Sequence, residues 1–404
     1  MKPDLIFSRR SKKFKLLENV YINIDSKKNR NIFSQNGVKN IQMMITCMKI
    51  FFMSKFFDYP ISRVIENIKN DKRLKHFMKI HGETPTEGQV YEYLSRYSPE
   101  TYNKIANSFF KLFSKTNKRK ISRLIVDATP VECDINIIKE YVTPERLEKL
   151  DLNFGYSTTK GHFIGFKVTV VLEEDSLSPI SVLIHSGAKN DSKIYDEVLM
   201  ELKRRRLLKE KQEILFDKGY FSYDNYIKGI NEYHIIPIIF PRGNFKLSKL
   251  EGRMSTRLDI FKDKNTLEAA KKLYLELTTK LYKYLENWKD LKPIRGIIED
   301  FFKVGKDAFG LGKFHSYTQK SMRKNIYLCI LLTAIVVQQG FNTKTKLQQL
   351  AEGRIDKKPI KSRKAKKSKK DKEKPKVEEV VEEMEGQTRL PVKIVKQSNL
   401  EFFA

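Results

Sequence analysis

Apolar residues in the first third of the chain recur at helical spacing. Met44, Ile45, Met48, Phe51 and Phe52 populate one broad face. Ile61, Val64, Ile65 and Ile68 repeat at i, i+3, i+4 and i+7, and Tyr102, Ile105, Phe109 and Leu112 do likewise. These positions predict short packed helices over residues 36–115, separated by Asp58-Tyr59-Pro60 and by the turn-rich stretch 82–85. Residues 1–35 are basic and read as a loose N-terminal arm. Residues 116–120 read as a linker, and beyond them the period changes. Short runs rich in Val, Ile and Leu predict strands over 123–127, 164–173, 180–185, 213–217 and 235–240. Helical patterns return over 191–208, capped by Asp191 or Ser192, and over 222–231, 267–285 and 295–309. From Gly353 the pattern is lost, which predicts a disordered tail, first basic and then acidic, over 353–404.

The predicted order is β-β-β-α-β-α-β-insert-α, with residues 241–290 as the insert. Three strands in succession make a meander, and helical crossovers then add parallel strands. This is the element order of the ribonuclease H fold. The expected architecture is therefore α/β: a mixed sheet over 120–345, preceded by the all-helical region. In that order Asp127 closes the apolar run Leu124-Ile125-Val126 on the first strand. Asp217 closes Ile214-Leu215-Phe216 on the fourth, and Glu299 lies on the last helix. The first and fourth strands are neighbours in that fold, so Asp127 and Asp217 are expected side by side. Single acids in a sequence are mostly surface charges; the joint placement singles these out. Hard carboxylate oxygens suit Mg²⁺. Two such ions about 3.5–4 Å apart can activate a water and stabilise a leaving 3′-oxygen.

Charge narrows the partner. The 404-residue chain carries a formal net charge of +30. Residues 353–404 hold 16 Lys and Arg against 9 Asp and Glu, so most of the excess belongs to the rest of the chain. Lysines and arginines that neutralise phosphates release condensed counterions, which makes nucleic acid the natural polyanion and a membrane surface a distant second. Cys47, Cys133 and Cys329 are isolated and fit a reduced compartment. The N-terminus has no apolar signal core, and the longest apolar run, residues 326–337, suits a buried helix rather than a bilayer span. A cytoplasmic, nucleoid-associated protein is expected.

Several motifs together resemble the DDE transposases of insertion sequences, close to the IS4/IS5-like group. They are Val126-Asp127-Ala128-Thr129-Pro130, Phe216-Asp217-Lys218-Gly219-Tyr220, and Arg295 with Glu299 and Lys306. Segments 161–167 and 186–192 are also similar to that family. The third motif matches the group's Arg, Glu and Lys spacing, whereas Lys292 stands where the group has Tyr. The resemblance covers most of residues 36–345. It implies catalytic and metal-binding roles for Asp127, Asp217 and Glu299, with two Mg²⁺ ions for which Mn²⁺ can substitute. It also implies phosphate contacts from Arg295, Lys306 and Lys218. The implied substrate is double-stranded DNA, namely the terminal inverted repeats and a target, handled by a homodimer. Alternatives are a ribonuclease H-like nuclease without strand transfer and a retired, purely DNA-binding protein.

Independently of the resemblance, Arg295, Glu299 and Lys306 lie at 0, 4 and 11 on a helix and share one face. The insert is expected to border a DNA channel, and the helices of 36–115 to serve DNA binding or dimerisation. Asp191 reads as a helix cap rather than a further acid of the site. Glu132 and Asp134 read as surface charges, and Asp300 faces away from Glu299. Tyr220 suits either packing or DNA contact. Trp288, the single tryptophan, suits core packing more than stacking on a base, and the six histidines lack zinc spacing.

Overall fold

The apolar stretch 41–57 forms a helix (α3, Ile41–Phe57) buried on nearly every side. The structure, a computed structural model, describes residues 8, 11–114, 122–134, 153–157, 161–258, 268–316, 318–341 and 343–353. The expected linker 116–120 and the charged tail from 354 onward lie outside the described residues. Asn40 caps α3 through its side chain, which accepts from the Met43 amide, and Asp58 ends it at φ 54°. α4 (Ile61–Asn70) and α6 (Glu87–Ser95) pack on α3, α5 (Lys72–Phe77) packs on α4, and α7 (Pro99–Phe113) packs on α2 (Lys27–Gln35). Helix α7 begins with Ser98 as cap and Pro99 in its first turn. It buries Tyr102, Ile105 and Phe109, but Leu112, expected on the same stripe, is 43% exposed.

Residues 12–35 differ from the expected loose arm. They form α1 (Lys12–Asp25) and α2 (Lys27–Gln35). Leu17, Val20, Tyr21 and Ile24 of α1 make a buried i, i+3, i+4, i+7 stripe against α3. Asp25 at its end is mostly buried and accepts from Lys49 Nζ at 2.6 Å and from Arg30 Nε at 2.8 Å. The Lys49 ammonium also donates to the Met78 carbonyl at 3.0 Å.

The strands form a seven-stranded mixed sheet among the described residues. Its centre is β1 (Leu124–Cys133), paired antiparallel to β3 (Gly161–Glu173) and parallel to β5 (Glu213–Phe216). Strand β6 (Ile236–Ile239) extends the sheet parallel to β5, and β4 (Ser178–Ser186) pairs antiparallel to β3. The pairing β4-β3-β1-β5-β6 is compatible with a ribonuclease H-like sheet. Two short strands were not anticipated: β2 (Asn153–Ser157), which pairs with the start of β3, and β7 (Lys313–Phe314), which pairs with the end of β1. Asp134, expected at the surface, is buried beside that junction and pairs with Lys313 and His315.

Helices cover the sheet. α8 (Asp191–Arg204) and α9 (Tyr223–Asn231) follow β4 and β5. The cap of α8 is Asn190, whose side chain accepts from Ser192 N–H, not Asp191 or Ser192. The insert holds α10 (Leu247–Leu258) and α11 (Glu268–Glu286), two helices where one was expected. After α12 (Lys292–Lys303), the apolar run 326–337 lies buried in α13 (Gln319–Gln338), which packs on α1, α3, α7 and β4. This helix joins the helical region to the sheet, and the described residues belong to one compact unit. α14 (Lys344–Ala351) closes the described chain. None of the helices among the described residues is long and apolar enough to cross a membrane.

The buried Asp25–Lys49 pair yields a stability prediction. Asp25→Ala leaves the Lys49 ammonium buried without its counter-ion and should cost about 3–5 kcal/mol in urea unfolding. The double variant Asp25→Ala, Lys49→Met should recover most of that loss. An unchanged urea midpoint for the single variant would contradict this account of how α1 is anchored.

Candidate active site

Register decides which side chains meet. Leu124, Ile125 and Val126 pair in parallel with Ile214, Leu215 and Phe216. All six are fully buried, and β-branched and aromatic side chains suit such a two-sided core strand. The residues that follow on the two strands are Asp127 and Asp217. At the other end of this ladder Arg123 donates from Nη2 to Glu213 Oε2 at 2.6 Å, and Tyr284 donates to Glu213 Oε1 at 2.6 Å. The ladder is thus held at its start by an ion pair and ends in two carboxylates at the carboxyl edge of the sheet, where α/β sheets hold their ligands.

Glu299 arrives from α12. Ile298, Phe301 and Phe302 bury the inner face of that helix, which packs against β1. Asp300, expected to face away from Glu299, is buried and accepts from Gln348 Nε2 at 3.4 Å. Glu299 points outward and is 57% exposed. Beyond Lys303 the helix widens into a π turn, Val304–Ala308, which carries Lys306. Gly310 at φ +67° stops it, and the Leu311 amide donates to the Gly305 carbonyl at 2.9 Å.

The three acids converge on one guanidinium. Arg295 Nη2 lies 2.9 Å from Asp127 Oδ2 and 3.3 Å from Asp217 Oδ1, while Nη1 donates to Glu299 Oε1. The other oxygen of Asp127 accepts from the Ala128 amide at 2.8 Å. Three carboxylates against one guanidinium leave this centre short of positive charge. Asp127 is 13% exposed. Burial pushes its carboxyl up to about 7; Arg295 opposes the shift, and the charges of Asp217 and Glu299 reinforce it. Arg295 loses from its own burial, yet Asp127, Asp217 and Glu299 hold it above the ordinary guanidinium range.

Around the acids lies an open cleft of about 1060 Å³. Lys218 and Lys306 line it, so all six residues singled out in the sequence face one space. Lys167, Arg242, Lys303, Tyr156 and Trp288 line it too. Trp288 is half-buried against Phe240, with the Lys292 ammonium 4.6 Å from its ring centroid. Tyr220 is buried and packs on Phe216. Of the insert, residues 241–243 and Trp288 reach the cleft.

Asp191 belongs to this wall. Lys167 Nζ donates to Asp191 Oδ1 at 2.9 Å and to the Lys189 carbonyl at 2.7 Å. A Cβ at Gly219 would lie 2.7 Å from Asp191 Oδ2, so the turn after Asp217 passes against this carboxylate with no room for a side chain. From the opposite flank Arg242 donates to the carbonyls of Lys218 and Gly219 at 2.9 and 3.2 Å. Sequence reading missed Lys167 and Arg242 as site residues. Lys167 was legible as the single charge in the apolar run from Phe166 to Leu172. Arg242 had no such signal, since a turn arginine is ordinarily solvated.

Among the described residues no cluster of three or more His, Cys, Asp or Glu forms a ready-made metal cage. The donor chemistry nevertheless suits hard divalent cations. All three donors are carboxylates, and two of them already reach a single nitrogen atom.

The family described as Transposase DDE domain matches residues 118–335, more than half of the chain. The match contains β1, β5 and α12. No curated protein matches the sequence.

The position of Asp127 sets a pH dependence. Its acid is weaker in the folded protein than in the unfolded chain, so between about pH 4 and pH 7 the folded state binds the extra proton. Stability from this group is therefore present at low pH and lost as pH rises through the window. Asp127→Asn removes the effect. With EDTA present, the variant's stability relative to the parent should climb from pH 4 to 7 and level off above. A flat difference in urea unfolding across that range would contradict the assignment.

Proposed function

Because the chain belongs to the DDE transposase family, we propose that it cuts DNA at the ends of a mobile element and joins the freed ends to a target. The observation that carries this reading is the convergence of Asp127, Asp217 and Glu299 from two adjacent strand ends and one helix. The ribonuclease H-like order of the strands supports it. Asp127 and Asp217 would share a pair of divalent cations, and Glu299 would complete the set. Bound there, Mg²⁺ or Mn²⁺ supplies activation of the attacking oxygen and charge stabilisation at the leaving oxygen.

The chain's own side chains hold the DNA. Arg295 offers a forked donor pair and Lys306 a point charge to phosphates beside the scissile bond. Lys218, exposed on the turn after Asp217, meets the backbone from the opposite wall. Such positioning turns an encounter between two strands into an in-line attack. Water displaces the 3′-oxygen first. The freed 3′-hydroxyl then attacks a phosphorus atom of the target at the same acids. Two element ends joined to one target call for two copies of the chain.

The test uses linear DNA bearing the element's own terminal repeats. The full-length protein with Mg²⁺ should give both cleavage and strand-transfer products. Asp127→Ala, Asp217→Ala and Glu299→Ala should each reduce both to background while leaving DNA affinity within about threefold, well under 1 kcal/mol. Cleavage that persists in Asp127→Ala would sink the assignment. Cleavage without joined products would favour a nuclease instead.

A further inference from the structure

Arg295 holds a place that a divalent cation would have to share. Its guanidinium contacts Asp127 Oδ2, Asp217 Oδ1 and Glu299 Oε1 at once. A divalent cation gripped by the same three carboxylates would lie beside this positive charge and be repelled by it. The arginine also has an unmet need. Its Nε is buried and has no hydrogen-bond partner. A buried donor left unpaired is unfavourable, so the present arrangement is not the side chain's best-satisfied one. A phosphate oxygen pair approaching through the cleft can take Nε together with an Nη in a forked contact. The side chain is 20% exposed and lines that cleft, so a phosphate can meet its exposed part, and Nε becomes available as the side chain swings away from the acids.

We propose that Arg295 is a displaceable counter-cation, which neutralises Asp127, Asp217 and Glu299 until a DNA phosphate draws it away, so that DNA and divalent cation bind cooperatively. The proposal rests on the assignment of those three acids as metal ligands. By linkage, whatever factor DNA adds to cation affinity, the cation adds to DNA affinity. Free protein then keeps its acids masked and carries little metal. Protein on DNA carries a full complement, and cutting is confined to the DNA-bound state.

The experiment measures Mn²⁺ binding to the full chain by electron paramagnetic resonance, with and without a terminal-repeat duplex, subtracting Mn²⁺ bound by the duplex alone. For the parent protein, DNA should tighten Mn²⁺ binding by about tenfold, within the usual range of such couplings. Arg295→Gln should bind Mn²⁺ about that much more tightly without DNA, and the duplex should add little. Arg295→Lys keeps the charge but cannot span three carboxylates. It should also bind more tightly than the parent, whereas a general charge effect would leave it unchanged. Parent-like affinity and coupling in the Lys variant would overturn the proposal, even if Gln misfolds. Asp127→Asn separates the two levels of argument. If it retains parent-like Mn²⁺ binding, the metal assignment itself is wrong; if it loses binding while the Arg295 variants behave like the parent, only the counter-cation role fails.

Discussion

Everything at the site depends on one three-residue parallel ladder. Leu124 to Val126 lie against Ile214 to Phe216, and a one-residue slip would carry every side chain of one strand to the opposite face. Both faces of this ladder are buried, so a slip would place Asp127 or Asp217 where an apolar residue now packs. The Arg123–Glu213 ion pair at the start opposes the same slip from outside the core. Hydrophobic burial and one partly buried ion pair thus fix the relation between two carboxylates that are 90 positions apart in sequence. The repulsion between those carboxylates is tolerated because the rest of the ladder cannot relax without exposing its core.

The second constraint is electrostatic. Gathering three acids at the edge of a low-dielectric core is unfavourable unless cations join them. Arg295 meets the requirement in the folded protein, while burial, reinforced by the charges of Asp217 and Glu299, still raises the affinity of Asp127 for a proton. The surrounding cleft adds Lys167, Lys218, Arg242, Lys303 and Lys306, of which Lys167 is paired with Asp191 and Arg242 with main-chain carbonyls. Basic and acidic side chains thus share one cleft.

Much of this was legible in the sequence, because the apolar runs of the central strands are short, uninterrupted and closed by acids. The five expected strands are all present, and the three acids, Arg295, Lys218 and Lys306 line one cleft. What escaped had specific causes. The lysines of residues 12–15 drew attention away from the Leu17, Val20, Tyr21 and Ile24 stripe, so two packed helices were read as an arm. β7, at two residues, is too short to carry a period, and β2 lacks the continuous apolar run that marks β5 and β6. Asn190 was overlooked as a cap because Asp191 and Ser192 compete for that role on propensity alone; their roles separate only when Lys167 is seen to hold Asp191. Asp134 is buried through the passage of β7, a long-range event with no local trace.

β7 is easily passed over, being two residues long. It hydrogen-bonds the end of the strand that bears Asp127, and the amide of Glu132 donates to Gly312 at 3.0 Å just before it. The chain between Arg295 and Phe314 is therefore stapled to β1 at both ends, by the guanidinium at one and by main-chain bonds at the other. A bracket fastened twice to the same beam cannot tilt freely. The spacing between the helix-borne acid and its strand-borne partner is built into the resting protein, and the main-chain fastening does not depend on the guanidinium.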